Sequence, residues 1–114
     1  MNIPASSNRS DTFTTIQELK TIVNQFVAER DWERFHQPKN LAMSIAIEAA
    51  ELMEHFQWTG TEAAPDSITD DSPVAQEIAD VLAYTLRMAE VLGIDLSRAL
   101  ELKMVRNRLK YPLN

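Results

Sequence analysis

Two pairs of acidic residues stand where apolar ones belong. Leu41, Ile45, Glu48, Leu52 and His55 recur at helical spacing, which puts Glu48 in the middle of an otherwise apolar stripe. Glu51 follows one turn on. Glu77 and Asp80 repeat the spacing of three, with Tyr84 on the same side. If the two stretches are antiparallel neighbours, the pairs face each other. No Lys or Arg occurs between Leu41 and Trp58, and only Arg87 follows in the next helical stretch, so salt bridges cannot neutralise these acids locally. Two unit charges at 4 Å repel by roughly 4 kcal/mol at an effective dielectric of 20. A domain's stability is typically about 5–15 kcal/mol, so four facing carboxylates require protons or a cation. Hard oxygen ligands without cysteine favour Mg²⁺, or Mn²⁺, over zinc. The opposing reading is of solvated helix faces whose acids never meet, and Glu48 within its apolar stripe speaks against it. Glu54 projects away from Glu48 and reads as a surface residue.

Basic residues gather at the other end of the chain, where Lys103, Arg106, Arg108 and Lys110 follow one another, with Asn107 one turn after Lys103. This fits a helix C-terminus complementing its dipole, or a second clamp for phosphate oxygens. Acids plus a basic arm suit a polyphosphate substrate, where catalysis is positioning and charge stabilisation. Trp32, Phe35, His36, Trp58, Tyr84 and Tyr111 lie at segment ends or beside the acids. Such rings either pack locally or enclose a nucleobase by stacking. His55 continues an apolar stripe and reads as a packed histidine. Glu33-x-x-His36 imitates a di-iron ligand motif, but Gln37-Pro38 follows at once and argues against a continuing helix.

The elements that must position these groups are helical. The first is expected from about Thr14 to Asp31, with Ile16, Leu19, Val23, Phe26 and Val27 on one stripe, and Thr15 with Glu18 as a capping box. A loop from Trp32 to Asn40 follows, then a second helix over Leu41–Trp58. A polar connection, Thr59–Asp71, holds Gly60 and Pro65. Ser72-Pro73 opens the third helix as cap and first residue, and Gly93 closes it after Leu92. Asp95 caps the fourth, which ends before Pro112. The third helix is apolar nearly all round, through Val74, Ile78, Val81, Leu82, Leu86, Met88 and Leu92, as befits the centre of a bundle. A lone 114-residue bundle has a limited interior, so subunit association is expected.

Composition narrows the field further. The length fits one domain, read as residues 12–114 behind a loose polar tail, 1–11. Eleven Lys+Arg against 17 Asp+Glu leave a formal net charge of −6, which disfavours nucleic-acid binding. The absence of cysteine excludes disulfides, thiolate zinc sites and Cys nucleophiles. With only two glycines a Gly-rich phosphate cradle is impossible and a turn-rich β fold is disfavoured. No stretch approaches the roughly 20 apolar residues of a membrane span. A cytoplasmic protein is the expectation.

Several segments together resemble a known family. Ala28-Glu-Arg-Asp-Trp-Glu-Arg-Phe-His-Gln-Pro-Lys-Asn40, Glu48-Ala-Ala-Glu-Leu-Met-Glu-His-Phe-Gln-Trp58, Glu77-Ile-Ala-Asp-Val-Leu-Ala-Tyr84 and Lys103-Met-Val-Arg-Asn-Arg-Leu-Lys-Tyr-Pro112 are similar to the corresponding segments of the dCTP pyrophosphatases, in the all-α MazG-like nucleotide pyrophosphohydrolase superfamily. The resemblance spans about Gln25 to Pro112. It implies a four-helix bundle-like fold that assembles as a homodimer or homotetramer, with sites near subunit boundaries. It also implies hydrolysis of a (deoxy)nucleoside triphosphate, dCTP favoured, to the monophosphate and pyrophosphate. Glu48, Glu51, Glu77 and Asp80 match the Mg²⁺-binding acids, with Glu51 the first choice to activate water and Glu48 beside it. Trp32, His36, Trp58 and Tyr84 match the nucleoside pocket; Lys103, Asn107 and Tyr111 match the segment closing over phosphates and sugar. Two positions depart from the pattern: Ile47 stands where many relatives open the motif with a second Glu, and His55 where an apolar residue is common. The competing readings are a dUTP or broad dNTP enzyme, a non-enzymatic acidic helical module, and a redox-active carboxylate bundle.

Overall fold

A computed structural model describes residues 8–58 and 68–114. The start of the expected N-terminal tail, and most of the connection containing Gly60 and Pro65, lie outside the described residues. Four α-helices and no strand occur among the described residues: α1 (Ile16–Glu29), α2 (Pro38–Glu54), α3 (Pro73–Leu92) and α4 (Leu96–Lys110).

Thr15 caps α1, its Oγ1 accepting from the Glu18 amide at 3.1 Å. The helix stops two residues before the expected end because Asp31 turns left-handed, at φ 55°. That turn lets the Asp31 amide donate to the Ala28 carbonyl and the Trp32 amide to that of Val27, both at 3.1 Å, a Schellman closure built without glycine. It folds Trp32 back onto Phe26, edge to face, with ring centroids 5.6 Å apart. A short 3-10 turn, Glu33–Phe35, then leads into α2.

The second helix begins earlier than its apolar spacing suggests, because Pro38 itself takes the first helical position, where its missing N–H costs nothing. It ends at Glu54, and the chain from His55 to Trp58 continues in turns. The third helix has the expected bounds, but Ser72 does not cap it with its side chain. Its hydroxyl donates instead to the Thr69 carbonyl at 2.9 Å. Gly93, at φ 68°, ends α3 in a left-handed turn in which the Ile94 amide reaches the Ala89 carbonyl at 2.8 Å. Asp95 caps α4, accepting from the Arg98 amide at 2.9 Å.

Helix α3 lies against both α2 and α1. Leu41 and Ser44, early in α2, share a cavity with Tyr84, whereas Glu48 and Glu51, further along, meet Glu77 near the start of α3. The two helices therefore run antiparallel. The buried apolar core among the described residues is small: Val27, Leu41, Leu86 and Ala89. Two cations are buried with it. Lys20 donates through Nζ to the Ile94 carbonyl at 2.9 Å, tying α1 to the α3–α4 turn, and Arg87 is taken up below.

The expected bundle is thus three packed helices with a fourth, α4, that contributes no buried residue and makes no extensive contact with the others. Apolar side chains remain uncovered on α3 and α4, with Ile78 53%, Leu100 61% and Leu109 79% exposed. The radius of gyration is 16.6 Å, against about 13 Å for a compact chain of this length. Helix α4, which packs extensively against none of the other three, adds to that extent.

Candidate functional site

The antiparallel pairing of α2 and α3 brings acids together. Glu48, Glu51 and Glu77 each offer a carboxylate oxygen, all within 4.8 Å of one another. One oxygen of Glu48 and one of Glu77 are buried with no hydrogen-bond partner. Burial, then the close carboxyls of Glu51 and Glu77, then repulsion from Glu51 and Asp80, raise the Glu48 pKa from 4.5 to about 7. Asp80, one turn after Glu77, acts on Glu48 through its charge but is exposed and stands outside the tight cluster. Four acids were expected at a shared point; three meet there and the fourth sits at the rim. The ion pairs among the described residues, Arg9–Glu18, Arg30–Glu29, Arg34–Asp31 and Arg98–Glu101, involve none of them. Three converging hard oxygen donors, two with orphaned buried oxygens and none with a cationic side chain, fit a divalent metal ion.

Asp80 also joins this cluster to an aromatic cavity. A space of about 120 Å³ is walled by Phe26, Trp32, His36, Asp80, Tyr84 and Arg87, among others. A neighbouring space of about 350 Å³ shares Trp32, His36 and Tyr84 and adds Phe35, Asn40 and Ser44. The His36 and Tyr84 rings are tilted by 57° with centroids 6.5 Å apart. Burial, and secondarily the neighbouring Arg87 charge, lower the His36 pKa from 6.5, so the imidazole is held neutral. Arg87 donates from Nε to His36 Nδ1 at 3.0 Å. The arrangement can grip a flat, partly polar group between rings while turning an anionic end toward a cation held by the carboxylates.

Of the sequence-predicted residues, Trp32, His36, Tyr84 and Asp80 come together in the cavity, and Glu48, Glu51 and Glu77 beside it. Trp58 does not join them, being 88% exposed after the end of α2. Lys103 and Asn107 on α4, and Tyr111 at its end, wall neither cavity; Asn107 is half-buried, with its amide 4.0 Å from Met104 Sδ. His55 is half-buried at the end of α2, in keeping with a packed histidine. Sequence reasoning missed Phe26, Asn40, Ser44 and Arg87 as cavity residues. Arg87 carried a signal, since Asp80, Tyr84 and Arg87 fall at i, i+4 and i+7 on one helix face.

Helices, acid cluster and aromatic cavity together define a class, and the comparisons agree: the chain belongs to the MazG-like family, whose model matches residues 43–114. It is similar to dCTP pyrophosphatase 1 of Mus musculus, 39% identical over 103 residues, covering 88% of this chain and 61% of the mouse protein. The Homo sapiens dCTP pyrophosphatase 1 is 40% identical over 101 residues, covering 86% and 59%. The chain thus spans about three-fifths of these relatives. A crystal structure of a pyrophosphatase from Archaeoglobus fulgidus DSM 4304 superposes with a TM-score of 0.76 at 38% identity, covering 94% of this chain and 98% of that one.

Proposed function

We propose that this chain hydrolyses a deoxynucleoside triphosphate, dCTP by preference, to the monophosphate and pyrophosphate, with Mg²⁺ (or Mn²⁺) as cofactor and the cytoplasmic nucleotide pool as its setting. The observation that carries this reading is the junction at Asp80 of a carboxylate cluster containing orphaned buried oxygens and a cavity lined by Trp32, His36 and Tyr84. The similarity to dCTP pyrophosphatases and to a pyrophosphatase structure supports it.

Glu48, Glu51 and Glu77, with Asp80 at the rim, would hold the divalent ion, which when bound supplies Lewis acidity and charge neutralisation at phosphate oxygens. Trp32 and Tyr84 take the base by stacking, and His36 meets its edge. Glu51 orients a water and accepts its proton as the water oxygen bonds to the α-phosphorus. The α–β bridging bond breaks and pyrophosphate leaves with the electron pair. Lys103, Asn107 and Tyr111 close on phosphates and sugar, and Trp58 on the base, once subunits associate. The uncovered apolar faces of α3 and α4 support that association, as a homodimer or homotetramer.

A panel of nucleoside triphosphates, assayed for pyrophosphate with Mg²⁺ and then with chelator, tests the reading. Pyrophosphate from dCTP that vanishes with chelator is the expected result. Orthophosphate as product, or turnover indifferent to chelator, overturns it. Stacking rings accept any base, so the same panel separates dCTP from dUTP or broad dNTP use.

A further inference from the structure

Arg87 is a buried cation, 7% exposed, yet no carboxylate among the described residues pairs with it. Its guanidinium donates instead to two neutral acceptors, His36 Nδ1 at 3.0 Å and Asn24 Oδ1 at 2.7 Å. It thereby joins α1, the 3-10 corner and α3 at the cavity wall. A guanidinium has donors only and keeps its charge, so Nδ1 must present a lone pair. A neutral imidazole then carries its single proton on Nε2. Protonating Nδ1 would break the bond to Arg87 and set two like charges against each other, at a position where burial already favours the neutral ring.

We propose that Arg87 is a positioning residue, holding His36 as the Nε2–H tautomer in one orientation so that the cavity selects a base presenting a hydrogen-bond acceptor there. A carbonyl or an unprotonated ring nitrogen meets that requirement; an amino group does not. The selection rests on the nucleotide reading above, but the tautomer does not.

Two measurements test it. In the metal-free, ligand-free protein, imidazole ¹⁵N NMR should find His36 Nδ1 unprotonated and Nε2 protonated; a proton on Nδ1 overturns the proposal whatever the activity. In steady-state kinetics on the best triphosphate, Arg87→Met, similar in length and apolar, should raise KM about tenfold and change kcat less than twofold. In a His36→Ala background the same change should add less than twofold, because Arg87 then has nothing to position. A full additional effect there means that Arg87 acts independently and overturns the proposal. Arg87→Lys keeps the charge without the planar fork and should behave like Arg87→Met; full activity in that variant overturns it too. If the wild-type chain hydrolyses no triphosphate, the functional reading falls, and the ¹⁵N signal alone decides the tautomer.

Discussion

Glu48 concentrates the electrostatic tension of the molecule in one side chain. Its pKa near 7, against 4.5 ordinarily, means that the cation-free folded state holds a proton that the unfolded state has lost across that interval. The folded state binds more protons there, so stability falls as pH rises from about 4.5 through 7. Thermal melts in chelator between pH 5 and 8 should follow that slope, and Glu48→Gln should flatten it and melt higher than the parent at pH 8. Glu51→Gln bears on chemistry: it should lower turnover roughly 10²–10⁴-fold, the range for losing a positioned general base. Because the Glu51 carboxyl itself helps raise the Glu48 pKa, Glu51→Gln should also soften the pH slope of cation-free melts, though less than Glu48→Gln, whose own titration produces that slope. Steady-state turnover checks the first effect and melts the second.

At the scale of the elements, the turn after α1 is the sharpest test. Asp31 occupies a left-handed conformation so that Trp32 can fold back onto Phe26. Asp31→Gly should therefore be tolerated or mildly stabilising, whereas Asp31→Val should cost about 1–2 kcal/mol and raise KM by loosening Trp32; urea melts and kinetics check both. This turn also marks the edge of what sequence made legible. Thr15, Gly93 and Asp95 punctuate helices through local chemistry and could be read directly. Asp31 does the work usually given to glycine, and Pro38 begins a helix rather than interrupting a loop, so both hid their boundaries. The carboxylate pairs were visible because a spacing of three on one helix face is a local property. The Arg87–His36 bond was not, since it joins residues 51 apart that only the packing of α3 against the corner brings together.

The whole molecule is defined by what it leaves uncovered. An apolar α3 between two partners, and an α4 with no buried residue, should drive chains together. Light scattering should find a dimer or larger, and Leu100→Lys, at a 61% exposed site, should shift the population toward monomer. Saturating divalent cation should raise the melting temperature of the parent, since ligand at a hundred times Kd stabilises by about 2.7 kcal/mol. Glu77→Gln should blunt that rise by removing one of the three converging ligands.

The unsatisfied oxygens at the acid cluster carry one more consequence, for solution chemistry. A ligand must be deprotonated to bind a metal, so a divalent ion taken up by these carboxylates near neutrality would expel hydrogen ions, chiefly from Glu48, whose pKa is raised to about 7. A weakly buffered sample should turn measurably acidic as magnesium chloride is titrated in, and one carrying Glu48→Gln should stay nearly silent. Occupancy could then be followed with a glass electrode, without any nucleotide present.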